Sequence, residues 1–105
     1  MKKIVVCCAM GLSTSLLMKK IEDYCKNNEL DITVAAMPIE KTMLPDFEAD
    51  VVLLGPQIRF ELENFQKKHP DIPSGFIPLQ AYGMMDGEKV VKFAEEVINK
   101  FNESK

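Results

Sequence analysis

The chain is short of the residues from which metal and nucleic-acid sites are usually built. It has one histidine, His69, and one arginine, Arg59. Its three cysteines, Cys7, Cys8 and Cys25, are odd in number and two are adjacent, so a disulfide framework is not expected. Zinc favours Cys-x-x-Cys pairs joined by further Cys or His ligands, and that spacing does not occur. No metal and no cofactor is expected. No apolar run approaches the roughly 20 residues that span a bilayer. The opening Met1-Lys2-Lys3 and the short apolar stretch after it do not make a secretory signal, so the expectation is a cytoplasmic protein. There is no basic stripe. Lys and Arg total 13 against 16 Asp and Glu, a net charge of −3 with the signs interspersed, which argues against nucleic acid and anionic lipid as partners. Repeats, low-complexity tracts and linkers are lacking as well.

What is there is ordinary globular material. With 105 residues, 47% hydrophobic and 28% charged, the chain suits one domain over 1–105 with one core. Residues 3–7 are β-branched and apolar and read as a buried strand. A helix is expected over 13–28, with Leu17, Ile21 and Tyr24 on one face and Leu16 and Met18 flanking. A second strand is expected over 31–36 and a third over 50–54, cut off by Gly55-Pro56. Between them, 37–49 holds Pro38 and Pro45 and is the least regular part, with room for a helical turn near Lys41. A helix over 57–68 carries Ile58, Leu62 and Phe65 on one face and ends before Pro70. A weaker strand follows over 75–78, then a loop near 80–83. The last helix is capped by Asp86 and runs to about Phe101, with Val90, Phe93, Ala94, Val97, Ile98 and Phe101 in a stripe.

Strands alternating with helices argue for an α/β fold, with a four-stranded parallel sheet covered by helices on both faces. The expected spatial order is 2-1-3-4, a small Rossmann-like fold. Ligands in such sheets bind beyond the C-terminal strand ends where the order reverses, here between strands one and three. The loops at that point are 8–12 and 55–57, with 80–83 able to close the rim.

The first of these loops reads Cys8-Ala9-Met10-Gly11-Leu12-Ser13-Thr14-Ser15. A helix N-terminus leaves backbone N–H groups without partners and carries partial positive charge, which suits phosphate. Gly11 admits unusual backbone conformations and close approach of a ligand. Ser13, Thr14 and Ser15 add hydroxyls. A thiol placed there has a lowered pKa, because the N–H groups stabilise its thiolate. The loop therefore holds both a nucleophile and a cradle for what it attacks. Each feature alone has an ordinary structural reading: free Cys is often a small buried hydrophobe, and Ser or Thr at a helix start is often only a cap. Their coincidence at the switch point favours a working Cys8. Cys7 continues the buried strand and is expected to pack in the sheet.

The spacing from Cys8 to Thr14 is that of the phosphate loop of low-molecular-weight tyrosine phosphatases, whose fold this chain is expected to share. Those enzymes carry Arg where Thr14 stands. Arginine binds phosphoryl oxygens bidentately and stabilises the transition state of hydrolysis. A loop of amides and hydroxyls without it suits holding a phosphocysteine. The competing readings are a phosphatase-like hydrolase, a thiol redox protein or arsenate reductase, and a plain anion-binding module. The redox reading needs a resolving cysteine. Cys7 is a poor one, since adjacent cysteines form strained disulfides, and Cys25 is three helical turns away.

The segment from Cys8 through Gly11 to Ser13-Thr14-Ser15-Leu16-Leu17 resembles the enzyme IIB component of the sugar phosphotransferase system, lactose/cellobiose class. So do Ala49 through Gly55-Pro56-Gln57-Ile58, and Tyr82-Gly83 followed by Asp86-Gly87. Three matches in order reach from the first strand to the last helix. The resemblance implies a phosphotransferase. It would accept a phosphoryl group from a phosphohistidine of a IIA protein and hold it as phosphocysteine. It would then pass the group to a sugar presented by the membrane permease IIC. That sugar would be a β-glucoside disaccharide such as cellobiose, chitobiose or lactose. By position, Cys8 is the nucleophile. Amides from Ala9, Met10, Gly11, Leu12, Ser13, Thr14 and Ser15 would bind the phosphoryl oxygens. The protein would reach the inner face of the membrane only through IIC, and a monomer is the simplest state for a carrier that meets two partners in turn.

Other residues are placed more simply. Gln57 is expected on the rim, either touching phosphate or a partner or merely starting a helix, and Tyr82 is expected on the rim loop, in a partner contact or in loop packing. His69, before Pro70, is expected at the end away from Cys8 and is not a phosphohistidine candidate. Met10, Met84 and Met85 offer either an adaptable docking surface or ordinary packing. Arg59 is expected in solvent and Cys25 half-buried and inert.

Overall fold

A computed structural model describes residues 2–7 and 11–103, and only the backbone of residues 11–14. Strands β1 (Lys2–Cys7), β2 (Ile32–Met37), β3 (Val51–Leu54) and β4 (Ser74–Phe76) form one parallel sheet in the order β2-β1-β3-β4, as expected. The helices are α1 (Gly11–Asn27), α2 (Ile39–Thr42), α3 (Leu62–Lys68), α4 (Leu79–Gly83) and α5 (Gly87–Glu103), with a 3-10 segment over Pro56–Glu61.

Alternation along the central strands builds a core on each face of the sheet. Ile4, Val6, Val51 and Leu53 point to one side and pack with Leu17 and Ile21 of α1, Ala81 and Tyr82 of α4, and Val90, Val91 and Ala94 of α5. Val5, Cys7, Val52 and Leu54 point to the other, against Ile39 of α2, Ile58 and Phe65. Each large side chain buried this way contributes about 1.5–3 kcal/mol. Both faces of β1 and β3 are covered, which is why these strands read as continuous apolar runs. The register pairs Cys7 with Met37 and with Leu54, so β1 and β3 end level.

The helices depart from the sequence reading where packing overrides local pattern. On α1 the buried stripe is Leu17, Met18, Ile21 and Cys25, with Tyr24 half-buried and Leu16 49% exposed. The helix also begins at Gly11, two residues earlier than expected. None of the glycines among the described residues has a positive φ, so Gly11 serves as the opening of a helix and not as a left-handed loop residue. At the other end of α1, Leu30 N–H donates to Cys25 C=O and Glu29 adopts φ 53°, a left-handed C-terminal cap. The segment expected as one helix over 57–68 is kinked. Ile58 has φ −121° and ψ 26°, so a 3-10 turn seeded by Pro56 precedes α3 while Ile58 still turns inward. The expected loop at 80–83 is helix α4. Strand β4 is shorter than expected, because Pro78 cannot donate to the ladder, yet Ile77 stays fully buried.

Asp86 does cap α5. Its Oδ1 accepts a hydrogen bond from Lys89 N–H at 3.1 Å, and its C=O accepts the first helical bond, from Val90 N–H. Asp86→Ala is expected to cost about 1 kcal/mol and lower the melting temperature by roughly 4–8 °C, read by thermal circular dichroism. An unchanged melting curve would show that the cap adds nothing.

Candidate functional site

The C-terminal ends of three strands meet at the switch point, and backbone hydrogen bonds set their spacing. Cys7 C=O accepts from Gly55 N–H at 2.7 Å, and Leu54 C=O accepts from Ile77 N–H at 2.8 Å. These bonds place the start of segment 55–57 beside the end of β1, and the start of segment 77–79 beside the end of β3. Cys7 is 0% exposed on the α2–α3 side of the sheet, as its strand register implied. Cys8, Ala9 and Met10 lie outside the described residues. Chain continuity makes Cys8 the first residue past β1, and α1 begins three residues later.

Helix α1 has 17 residues and no acidic side chain in its first turn. The partial positive charge at its N-terminus is therefore not offset by its own carboxylates. Gly11, Leu12, Ser13 and Thr14 form that turn, with helical backbone whose first N–H groups have no intrahelical partner. Ser15 is exposed. Of the residues expected to hold phosphate, Gly11, Leu12, Ser13, Thr14 and Ser15 open helix α1, and Ala9 and Met10 lie outside the described residues.

Of the two rim residues, Gln57 is exposed in the 3-10 segment, open to a partner. Tyr82 corrects the expectation. It is 5% exposed and packs in the core with the inner face of α4, so it gives a partner almost no surface. The cause is the helix at 79–83, which turns Ala81 and Tyr82 onto the sheet. Met84 is exposed, whereas Met85 packs against the core. His69 is structural. It ends α3, its Nε2 donates to Thr42 C=O at 2.6 Å, and its ring packs on Phe47 and Phe65. That is five residues before β4 begins, at the end of the sheet away from Cys8.

Cys25 is more buried than expected, at 4% exposed. Burial pushes its thiol pKa up, and the nearby Glu95 carboxylate adds to the rise. Cys7 and Cys25 are therefore expected to react with iodoacetamide at neutral pH roughly a hundredfold more slowly than free cysteine. Peptide mass spectrometry of native and unfolded protein checks this, and rapid labelling of Cys25 in the native state would contradict the burial.

Sequence reading missed Phe60 and Leu79. They are 72% and 73% exposed and, with Pro56, Gln57 and Arg59, line a groove of about 580 Å³ beyond the ends of β3 and β4. The available signal was Phe60 itself, an aromatic residue off the Ile58–Leu62–Phe65 face. Among the described residues no cluster of three or more His, Cys, Asp or Glu side chains is arranged to hold a metal ion, and no helix is long and apolar enough to cross a membrane.

The fold defines a doubly wound α/β protein in which the end of β1 and the start of α1 lie at the switch point of the sheet. Comparison with known proteins narrows the class. The family described as PTS system, Lactose/Cellobiose specific IIB subunit, matches residues 3–93. The oligo-β-mannoside-specific EIIB component of Bacillus subtilis is 36% identical, covering 90% of this chain and 93% of that one. The cellobiose-specific EIIB component of Lactococcus lactis is also 36% identical, covering 93% and 97%. Among solved structures, the cellobiose-specific phosphotransferase IIB component of Borrelia burgdorferi superposes with a TM-score of 0.74 at 35% identity, covering 94% and 93%. The lactose-specific IIB domain of Streptococcus pneumoniae gives the same TM-score at 15% identity, covering 90% and 95%, a likeness of fold. The chain belongs to the lactose/cellobiose-specific IIB family of the sugar phosphotransferase system. Members of this family work with IIA and IIC components.

Proposed function

We propose that this chain carries a phosphoryl group as a thiophosphate ester on Cys8, between the phosphohistidine of a IIA protein and a sugar held by a membrane IIC protein. The observation that carries this reading is the fully buried end of β1 at Cys7 followed, three residues after Cys8 in sequence, by a helix whose first turn lacks acid. The thiol loses its proton to solvent. The thiolate attacks phosphorus, an S–P bond forms, and the N–P bond breaks with its electron pair returning to the imidazole. In the second step a sugar hydroxyl attacks and loses its proton. An O–P bond forms as the S–P bond breaks, and the thiolate is restored. Free amides at the start of α1, with the hydroxyls of Ser13, Thr14 or Ser15, would neutralise the phosphoryl oxygens in both directions. Thr14 stands where the phosphatases carry the arginine that binds phosphoryl oxygens and stabilises the transition state of hydrolysis.

The sugar proposed is a β-linked disaccharide or short oligosaccharide, the class to which the cellobiose and oligo-β-mannoside relatives point. The protein would act in the cytoplasm, at the inner face of the membrane when docked to IIC. Intact mass spectrometry after incubation with phosphoenolpyruvate, the general phosphotransferase proteins and a IIA protein of this class tests the proposal. Wild type is expected to gain one phosphoryl group that iodine, which cleaves thiophosphate esters, removes. A Cys8→Ser chain carrying an iodine-labile adduct would refute it, and rapid release of inorganic phosphate would favour the phosphatase reading.

A further inference from the structure

Gly55 is a glycine where the backbone does not call for one. Its φ of −63° and ψ of 152° lie in the extended region open to every residue. Pro56 favours that conformation, because a proline bars the helical region to the residue before it. Backbone freedom therefore gives glycine no advantage at 55. It works against the fold, since glycine leaves the unfolded chain more freedom to lose than alanine would. Nor is 55 a surface position. Gly55 is buried, and its N–H donates to Cys7 C=O at 2.7 Å. A buried glycine with an ordinary backbone marks a close approach, either by another part of the chain or by a ligand. Gly87 is the first kind, because backbone of α1 lies within 3 Å of where its Cβ would be.

The ladder fixes the side on which the space at 55 lies. Val51 and Leu53 pack on the face that holds α1, α4 and α5, and Val52 and Leu54 pack on the other. Gly55 extends β3 by one residue, so the period of two turns its missing side chain toward the α1 face. The bond to Cys7 C=O holds it against the last residue of β1. The bare Cα therefore stands at the end of β1, on the face where α1 begins at Gly11.

We infer that the space left at Gly55 receives the phosphoryl group during transfer, which makes Gly55 a specificity-determining residue of the reaction and not a turn residue. This rests on the reading of Cys8 as the carrier. A phosphoryl group is far larger than the thiol proton it replaces, so a site that holds it must leave room that the thiol alone does not fill. The amides at the start of α1 draw the oxygens from one side. The missing Cβ at 55 lets them approach the strand end from the other. A methyl group at 55 displaces the oxygens from those amides, and a misplacement of about 1 Å can cost on the order of a hundredfold in rate. The free thiol needs no such room, so its ionisation is not affected.

The test compares Gly55→Ala and Gly55→Val with wild type. Transfer from a histidine-phosphorylated IIA protein of the lactose/cellobiose class is measured against chain concentration, beside thermal circular dichroism and thiolate absorbance against pH. For Gly55→Ala, kcat is expected to fall roughly tenfold to a hundredfold with KM for the chain within about twofold. Gly55→Val should fall further. The melting temperature of unphosphorylated Gly55→Ala should lie above that of wild type or within about 4 °C below it. The midpoint of thiolate formation should stay within about half a pH unit. A kcat within about twofold of wild type overturns the inference and leaves Cys8 as carrier. So does a larger fall in melting temperature, which gives the space to the packing of α1 or α4. A larger shift of the thiolate midpoint overturns it as well, because the loss then belongs to the nucleophile, and so does a raised KM with kcat unchanged, because the loss then belongs to docking. Wild type that never gains an adduct overturns the carrier reading instead, before any variant is compared.

Discussion

Gly87→Ala is expected to lower the melting temperature by at least about 12 °C, the largest effect among Gly75, Gly83 and Gly87. A Cβ built at Gly87 lies 2.4 Å from Lys20 C=O oxygen, 2.6 Å from its carbonyl carbon and 2.9 Å from Ile21 nitrogen. All three atoms are backbone in the middle of α1, so no side chain can rotate away. The two helices must part by about the width of the overlap. Parting them loosens the packing of Ile21, Val90 and Val91, which share the core on that face. Overpacking of this kind costs about 1–3 kcal/mol and sometimes more. The upper end applies because the obstacle is rigid and the site is buried, and each kcal/mol is worth roughly 4–8 °C in a domain of this size. Two other glycines serve as controls. Gly75→Ala meets only side chains, Val97 Cγ2 at 3.2 Å and Phe93 Cζ at 3.3 Å, and should cost about 1 kcal/mol. Gly83→Ala meets nothing within 4 Å inside α4 and should be neutral or stabilising by about 0.5–1 kcal/mol. Thermal unfolding of the three variants checks the ranking. A Gly87→Ala melting temperature within a few degrees of wild type would show that α1 and α5 slide apart freely.

Cys8→Ser is expected to lower sugar phosphorylation through the complete system by at least about a thousandfold. A hydroxyl is almost wholly protonated at neutral pH, whereas a thiol at a helix N-terminus is largely thiolate. Any phosphoserine that did form would be a poor donor, so the second step would fail as well. Cys7 cannot take over despite being the next residue. Its side chain is fully buried on the opposite face of the sheet from α1, beside Val52 and Leu54, and its carbonyl is tied to Gly55 N–H. Cys7→Ala should therefore keep transfer within about threefold of wild type, since it removes one buried sulfur and no reacting atom. Initial rates with phosphoenolpyruvate, the general proteins, IIA and IIC vesicles decide both points. Activity above about one per cent in Cys8→Ser, or a collapse in Cys7→Ala with the fold intact, would reverse the roles of the two cysteines.

The Cys7–Cys8 pair shows how far a sequence carries. Strand periodicity separated them, since Ile4 and Val6 must share one face and Val5 and Cys7 the other. The helix start was displaced by two residues, because Ser13 reads as a cap while the backbone is already helical at Gly11. Asp86 was legible because an N-cap needs only a short polar side chain and the backbone that follows it. Tyr82 was not. A tyrosine before a glycine looks like a loop residue until the burial of Ala81 and Tyr82 against the sheet is known.

By itself the sequence determined the alternation of strands and helices, the strand order, the two-sided core, the loop that bears Cys8 and the family resemblance. These depend on hydrophobic period, turn residues and short motifs, which are properties of neighbours along the chain. Tertiary structure alone decided that Gly87 abuts the backbone of Lys20, that Tyr82 is buried, and that Arg59, Phe60 and Leu79 border one groove. Those residues are far apart in sequence. Arg59 and Phe60 meet Leu79 because segments that follow neighbouring parallel strands leave the same end of the sheet, whereas Gly87 meets Lys20 because α1 and α5 pack side by side on one face.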